Sequence, residues 1–498
     1  MLSMSKEVYE ELGAEGVRDF GSYDKSLLPR DLLAMKHFFR GKWELWPFPL
    51  PSNRAEPGAA TGWLSPPDYL SMFLQAIVSL VFGIQIGRFL RPESPFGENR
   101  PAWLVGIYAI LRPFVVVAGW ILWAIGIFLF RLGQDLLWLF GDPDYLTVAK
   151  LFSGIRGLNR FLFGFLARRF NWFFRIFTIG DFACTMMIGL IRDLVPSKGL
   201  GVIEPKEFRA WLQEHGASEL TIYAPFIGTW YDAVAAYEEG DPNRPNLSAG
   251  VSVMSVTKAM LSYKGHFAYQ MRAEMGDTII GPIYACLKQR GVKFRFFHRV
   301  MDVVPGADDE IDQIYIEQQV TMKNGDPASY EPLRDLETDT GTFKVWPNEP
   351  RWEQIKETPP NPPQNLESFY TTWHGKTHVT LKRGMDFDHV VMAMPVATFP
   401  TYCAKLLERS EKWRDMAQNV SGVETQTMRL YFNASLDELG WTLPTPILSN
   451  FAIPFSTWED NGHLVEVETW PKDNTPKAIA TVFGALPAPE FCPPMDAV

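Results

Sequence analysis

The sequence predicts an α+β chain with a helical first part and a β-rich second part. Apolar residues recur at helical spacing through residues 1–200, and from Gly276 onward they alternate over short runs. Pro- and Gly-rich stretches separate these runs. With 498 residues the chain can bury two or three cores. The expected divisions are 1–200, a helical region with apolar membrane-facing or cap helices; 201–275, helical; 276–400, with a long excursion over 323–376; and 401–498, mostly strands.

Taken in order, residues 1–45 read as helix. Val8 and Leu12 lie on one face, and Leu28–Phe39 again carry apolar residues at helical spacing. Residues 45–62, with four prolines, read as loop. Pro66 and Pro67 can start a helix over Asp68–Leu90. The run Pro113–Phe130 holds eighteen residues without a charge between Arg112 and Arg131, which reaches the length of a membrane span candidate. Helical signal continues through Leu194, and no strand is expected before residue 200.

A short helix over Lys206–His215 ends at Gly216, residues 240–250 form a loop, and Val251–Met275 read as helix. Pro282–Gln289 is a helix stopped by Arg290-Gly291, where glycine supplies the left-handed cap. Strands are expected over Val292–Phe297, Ile311–Met322, Thr377–Lys382, His389–Met394, Met428–Asn433, His463–Trp470 and Ala478–Leu486. His389–Met394 is apolar on both faces and reads as a central buried strand.

The formal net charge of −10 argues against general nucleic-acid binding. The charge is uneven, however. Arg156, Arg160, Arg168, Arg169, Arg175, Arg192 and Lys198 face only Asp181 and Asp193 between residues 151 and 200. They interleave with Phe161, Phe163, Phe165, Phe170, Trp172 and neighbouring phenylalanines. Rings and arginines in this mixture suit a membrane interface, and equally an amphipathic helix on a protein core. A subdomain dipping into one leaflet is expected rather than a crossing, because arginines interrupt the helices after residue 158. The start of the chain lacks the pattern of a secretory signal, and Cys184, Cys286, Cys403 and Cys492 show no CxxC spacing, so reduced thiols of a cytoplasmic chain are expected.

Two passages carry a resemblance. Gly276–Val300 reads G-D-T-x-x-x-P-x-Y-x-x-L-K-x-R-G-V-K-F-x-F-F-H-R-V, and Asp388–Pro395 reads D-H-V-V-M-A-M-P. Both resemble the flavin-containing amine oxidoreductase and phytoene-desaturase superfamily, over roughly residues 200–490. The resemblance implies an incomplete FAD-binding Rossmann-like domain, a substrate-binding sheet and a large helical insertion. It places Val300, beside Arg299, at the flavin adenine, and Ala393, Met394 and Pro395 along the dinucleotide. A strand-end valine of an ordinary core is the alternative for Val300. The family's G-x-G-x-x-G is absent, as is its closing Gly-Asp stretch, so the chain resembles an internal piece whose dinucleotide-binding half could come from a separate chain.

Other constellations are weak. His374 and His378 straddle a glycine and do not suggest a metal site, and His298 suits a structural role. Glu238, Glu239 and Asp241 suit a solvated turn. No Ser/His/Asp arrangement is present, and no catalytic residue is named, because a flavin carries its own chemistry. The expected function is an FAD-dependent oxidation of an apolar substrate at a membrane surface. The alternative is a non-enzymatic, membrane-associated protein that keeps the fold without the flavin.

Overall fold

The structure, a computed structural model, describes residues 2–50 except 31, residues 52, 53, 55 and 56, and residues 145–487 except 195, 197–198, 309, 339–340, 369, 421, 442, 444–446, 451–453 and 472. The helix expected over Asp68–Leu90, the apolar run Pro113–Phe130 and Cys492 lie outside the described residues. The fold is mixed α+β, as the sequence suggests.

Helix α1 (Leu2–Phe20) and a short α2 (Tyr23–Ser26) open the chain. Residues 27–49 then form three strands, β1 (Leu27–Arg30), β2 (Leu32–Phe39) and β3 (Lys42–Pro49), where helix and loop were expected. The Leu32/Ala34 alternation supplies one buried face of β2, and Met35 is buried on the other, so the apparent helical spacing came from a strand covered on both sides. Pro47 and Pro49 are tolerated because β3 is an edge strand.

Helix α3 (Tyr145–Ala167) and α4 (Asn171–Gly189) form an antiparallel pair, and a π-helical turn, Leu190–Leu194, extends α4. Asn171–Leu194 is, among the described residues, the one helix long and apolar enough to cross a membrane. The helix is half buried, and its Asp181 is fully buried against protein partners. Helices α5 (Phe208–Glu214), α6 (Glu219–Ile222), α7 (Pro225–Ala233) and α8 (Ala249–Leu261) follow. Gly216, at φ 86°, turns the chain after α5 as expected. Trp211, Phe208 and Tyr231 centre the core between these helices.

The helix expected over 251–275 ends at Leu261. The chain turns at Gly265 (φ 72°), and β4 (Ala268–Met271) pairs antiparallel with β1. Helix α9 (Gly281–Gln289) is stopped at Gly291 (φ 85°), as read from the sequence. The strand expected over Val292–Phe297 instead begins at His298, because Phe297 adopts φ 58° and breaks the extended run. A three-stranded antiparallel sheet follows, in the order β5 (His298–Pro305), β6 (Ile311–Gln318), β9 (Thr377–Lys382). The excursion between β6 and β9 contains the hairpin β7 (Arg334–Thr338) and β8 (Gly341–Val345), and a small core of Val320, Met322, Tyr330, Ile355 and Leu366.

Three short helices, α10 (Phe399–Tyr402), α11 (Ala404–Arg409) and α12 (Glu411–Asn419), lead into β10 (Thr425–Phe432), β11 (Ile447–Ser449), β12 (Thr457–Asp460) and β13 (Ala478–Ala485). These strands join β2 and β3 in one six-stranded sheet, ordered β10-β13-β12-β11-β2-β3, so the two ends of the described chain share a sheet. Only β11 and β2 run parallel. His463–Trp470 is not a strand: residues 462–466 form a 3₁₀ helix, because both edges of β13 are already taken by β10 and β12.

Candidate functional site

Two places concentrate the chemistry. The first joins the two resembling passages. Arg299 and Glu317 face each other across β5 and β6, with Nη1 3.9 Å from a carboxylate oxygen. Val300 packs on an apolar cluster built from Val303, Phe399, Cys403 and Leu406, and Met392 and Met394 pack on the same cluster. Residues 299–300 and 392–394, about ninety positions apart, are therefore brought together. The packing of Val300 also agrees with a plain core role.

The second passage corrects the expectation of a central buried strand. Residues 389–394 join no sheet. Met392, Met394 and Val396 turn inward, whereas Val391, Ala393 and Pro395 are exposed, Val391 to 91%. Among the described residues no backbone hydrogen bond reaches the N–H or C=O groups of 389–394. The segment pairs with neither β5 nor β9, although each has an open edge; only its Met392 and Met394 side is covered, so it lacks the two-sided cover of a central strand.

The second place is a cavity of about 380 Å³ between the end of α1, residues 272–278, the β7–β8 hairpin and residues 464–469. Its walls mix Phe20, Phe343, Trp346 and Leu464 with Glu274, Asp277 and Glu468. The Trp346 indole N–H donates to the Gly276 carbonyl at 2.8 Å, and its backbone N–H donates to Asp277 Oδ1 at 2.8 Å. Arg429, on β10, donates to Glu274 at 2.5 Å and stands 3.5 Å from Glu468. Burial pushes the Asp277 carboxyl above its ordinary range, and the nearby Glu274 adds to the effect against the Trp346 N–H. Burial also raises Glu468, with Arg429 opposing and Glu274 and Asp277 reinforcing. Two carboxyl groups, Glu274 and Glu468, share the Arg429 guanidinium, with Asp277 close to both and Lys25, Arg272, Arg334 and Lys344 also on the walls; raised carboxyls in such a cavity can hold a proton and exchange it with a bound molecule.

Glu274, Glu468, Arg429 and Trp346 were not singled out from the sequence. Asp277 sits inside the first resembling passage, which was the available signal. Nothing local marks Glu468 or Arg429, because tertiary folding alone brings them together. Arg244 pairs with Glu238 at 2.7 Å and with Glu239 at 2.6 Å in an exposed turn. His298 Nδ1 lies 2.6 Å from the Phe296 carbonyl. Among the described residues no group of His, Cys, Asp or Glu could hold a metal ion. Cys184, Cys286 and Cys403 are buried and unpaired.

Neither a protein-family model, nor a curated protein, nor a solved structure matches this chain.

Proposed function

We propose that the chain is a flavin-dependent oxidoreductase of the amine-oxidase and phytoene-desaturase type, acting on an apolar substrate such as an isoprenoid or polyene taken from a membrane. One observation supports this best: Val300 and Met394, from the two passages that resemble that superfamily, lie on one apolar cluster. Beside it runs segment 389–394, whose backbone groups have no hydrogen-bond partner among the described residues. These residues are exposed or half-buried, so their backbone groups stand open to solvent, and a nucleobase edge is one partner they can accept.

The residues present fit one end of FAD. Val300 lies on β5, an edge strand, and Met394, between Ala393 and Pro395, packs on the same cluster, so this region is the candidate to take the adenine. The sequence contains no Gly-rich turn for the pyrophosphate. In this proposal residues outside this sequence, on this chain or a separate one, supply that grip. When bound, the flavin would accept the hydride, and the raised carboxyls of Asp277 and Glu468 are this chain's candidates for handling a proton.

The missing pyrophosphate grip favours a second reading, a membrane-associated protein that keeps the fold without catalysis. Flavin content separates the two. The purified chain is incubated with FAD and freed of excess, and heat-released flavin is measured by absorbance and fluorescence. Retained flavin supports the oxidoreductase. A folded chain that retains none and shows no saturable binding contradicts it.

A further inference from the structure

We infer that the outer face of α3, together with the α3–α4 turn and the tip of the β2–β3 hairpin, docks on a bilayer surface containing anionic phospholipid. The inference deepens the membrane association in the proposal above and does not depend on the flavin.

Helix α3 is built inside out. The polar side chains of its second half, Arg156, Asn159 and Arg160, face protein. Asn159 donates to the Phe177 carbonyl at 3.0 Å, Arg160 binds Asp181 at 2.8 Å, and Arg156 reaches the Thr185 hydroxyl at 3.2 Å. Its opposite face exposes Leu151, Ile155, Leu158, Leu162 and Phe165, spaced four and three residues apart, with Phe161 beside them at 84% exposure. A water-facing helix shows the reverse distribution. A continuous apolar stripe of this length marks an interaction surface.

Two distant stretches of sequence extend the stripe. At the hairpin tip, Phe38 and Trp43 are exposed, and at the helical turn Phe170 and Trp172 are exposed. Arg40 Nη1 donates to the Arg169 carbonyl at 3.3 Å, and His37 Nε2 lies 3.1 Å from Asn171 Oδ1, so the two stretches sit side by side.

Charge identifies the occupant. Residues 36–44 and 165–172 hold Lys36, Arg40, Lys42, Arg168 and Arg169 against the single carboxylate of Glu44, which accepts from Asn171. This local excess of cations stands out in a chain of net charge −10. Lys36 lies over the Trp43 ring and Arg169 over the Phe165 ring. A groove of about 1030 Å³ between hairpin and helices carries Arg40 and Arg168 on walls that include Phe38, Phe165 and Phe174. Exposed rings at headgroup depth, cations beside them and an apolar stripe between match an anionic bilayer surface. A second protein's apolar patch would match the stripe and not the cations.

The test is flotation of the full chain with phosphatidylcholine vesicles, with and without phosphatidylglycerol. Two exposed double variants are compared with wild type, Phe161→Ser/Phe165→Ser and Arg168→Gln/Arg169→Gln, each checked for an unchanged circular dichroism spectrum. The chain is expected to float with the mixed vesicles. Binding should fall about fivefold per arginine removed, and about tenfold per phenylalanine removed. Failure to float overturns the inference. So does a dimer in light scattering that Phe161→Ser/Phe165→Ser dissolves, because a second copy then covers the stripe. Flotation undiminished in both variants sinks this face while leaving membrane association standing. Loss of the flavin reading alone leaves this face untouched.

Discussion

Replacing Asp181 by alanine should strip the α3–α4 pair of its anchor to the helices that follow. Asp181 is 0% exposed, and its oxygens accept from Arg160 Nε, the Ser218 N–H and the Thr221 hydroxyl, each at 2.8 Å. The substitution takes the acceptor from Arg160 Nε and from the Ser218 N–H, while Arg160 keeps the Gly216 carbonyl and the Thr221 hydroxyl keeps the Ser218 hydroxyl. Removing one partner of a buried, hydrogen-bonded ion pair costs about 3–5 kcal/mol. The lower end applies here, because the Arg160 side chain is 39% exposed and can recover water. Asp181→Asn keeps an oxygen for Ser218 or Thr221 and should lose less, about 1.5–3 kcal/mol for the charged hydrogen bonds. The double change Arg160→Met/Asp181→Leu removes both charges and should regain most of the loss. Urea unfolding followed by far-ultraviolet circular dichroism reads all three as midpoint shifts at constant slope. An Asp181→Ala variant within about 0.5 kcal/mol of wild type would refute the anchor.

Further expectations concern packing and charge. A Cβ at Gly189 would overlap the Trp211 ring, so Gly189→Ala should destabilise by about 1–3 kcal/mol in the same assay. The alternation of 389–396 predicts that Val391→Thr stays within about 0.5 kcal/mol of wild type, whereas Met394→Ala costs about 1–2 kcal/mol, below the range for full burial. Similar losses at both positions would contradict the assigned inward face. For Asp277 and Glu468 the folded pKa lies above the unfolded one, so the native state holds the extra proton. Their contribution is complete below the ordinary values of 3.8 and 4.5, and it is lost as pH rises through the raised folded values. Asp277→Asn/Glu468→Gln should flatten the fall in urea midpoint from acid to neutral pH; an unchanged slope would show that neither group is shifted.

What the sequence revealed depended on how local its causes were. Gly216 and Gly291 end α5 and α9 where expected, because a left-handed cap is a single-residue requirement. The strand Thr377–Lys382 and the body of β13 were legible from alternation and β-branched content. Leu28–Phe39 was misread because Leu32, Leu33, Met35 and Phe39 satisfy a helical spacing, and only the sheet neighbours β11 and β3 decide for a strand. The prolines of β3 pointed to a loop, and an edge position makes them acceptable. Val251–Met275 was read as one helix because its apolar residues do not show the turn at Gly265 or the pairing of β4 with β1. The acid cavity joins residues 274–277, 429 and 468, a convergence no local pattern carries. The stripe on α3 was visible as rings among arginines, but which face pointed outward required the partners of Arg156, Asn159 and Arg160.

The central claim, that this chain reads the adenine end of a flavin dinucleotide, is tested most directly by competition. FAD is titrated into the purified chain and followed by flavin fluorescence polarisation, then challenged with AMP and, separately, with FMN. The account predicts saturable FAD binding that AMP displaces and FMN does not, because the proposed contacts at Val300 and Ala393–Pro395 are to adenine and the sequence has no Gly-rich turn for the pyrophosphate. Displacement by FMN alone, or no saturable binding by a folded chain, would contradict it.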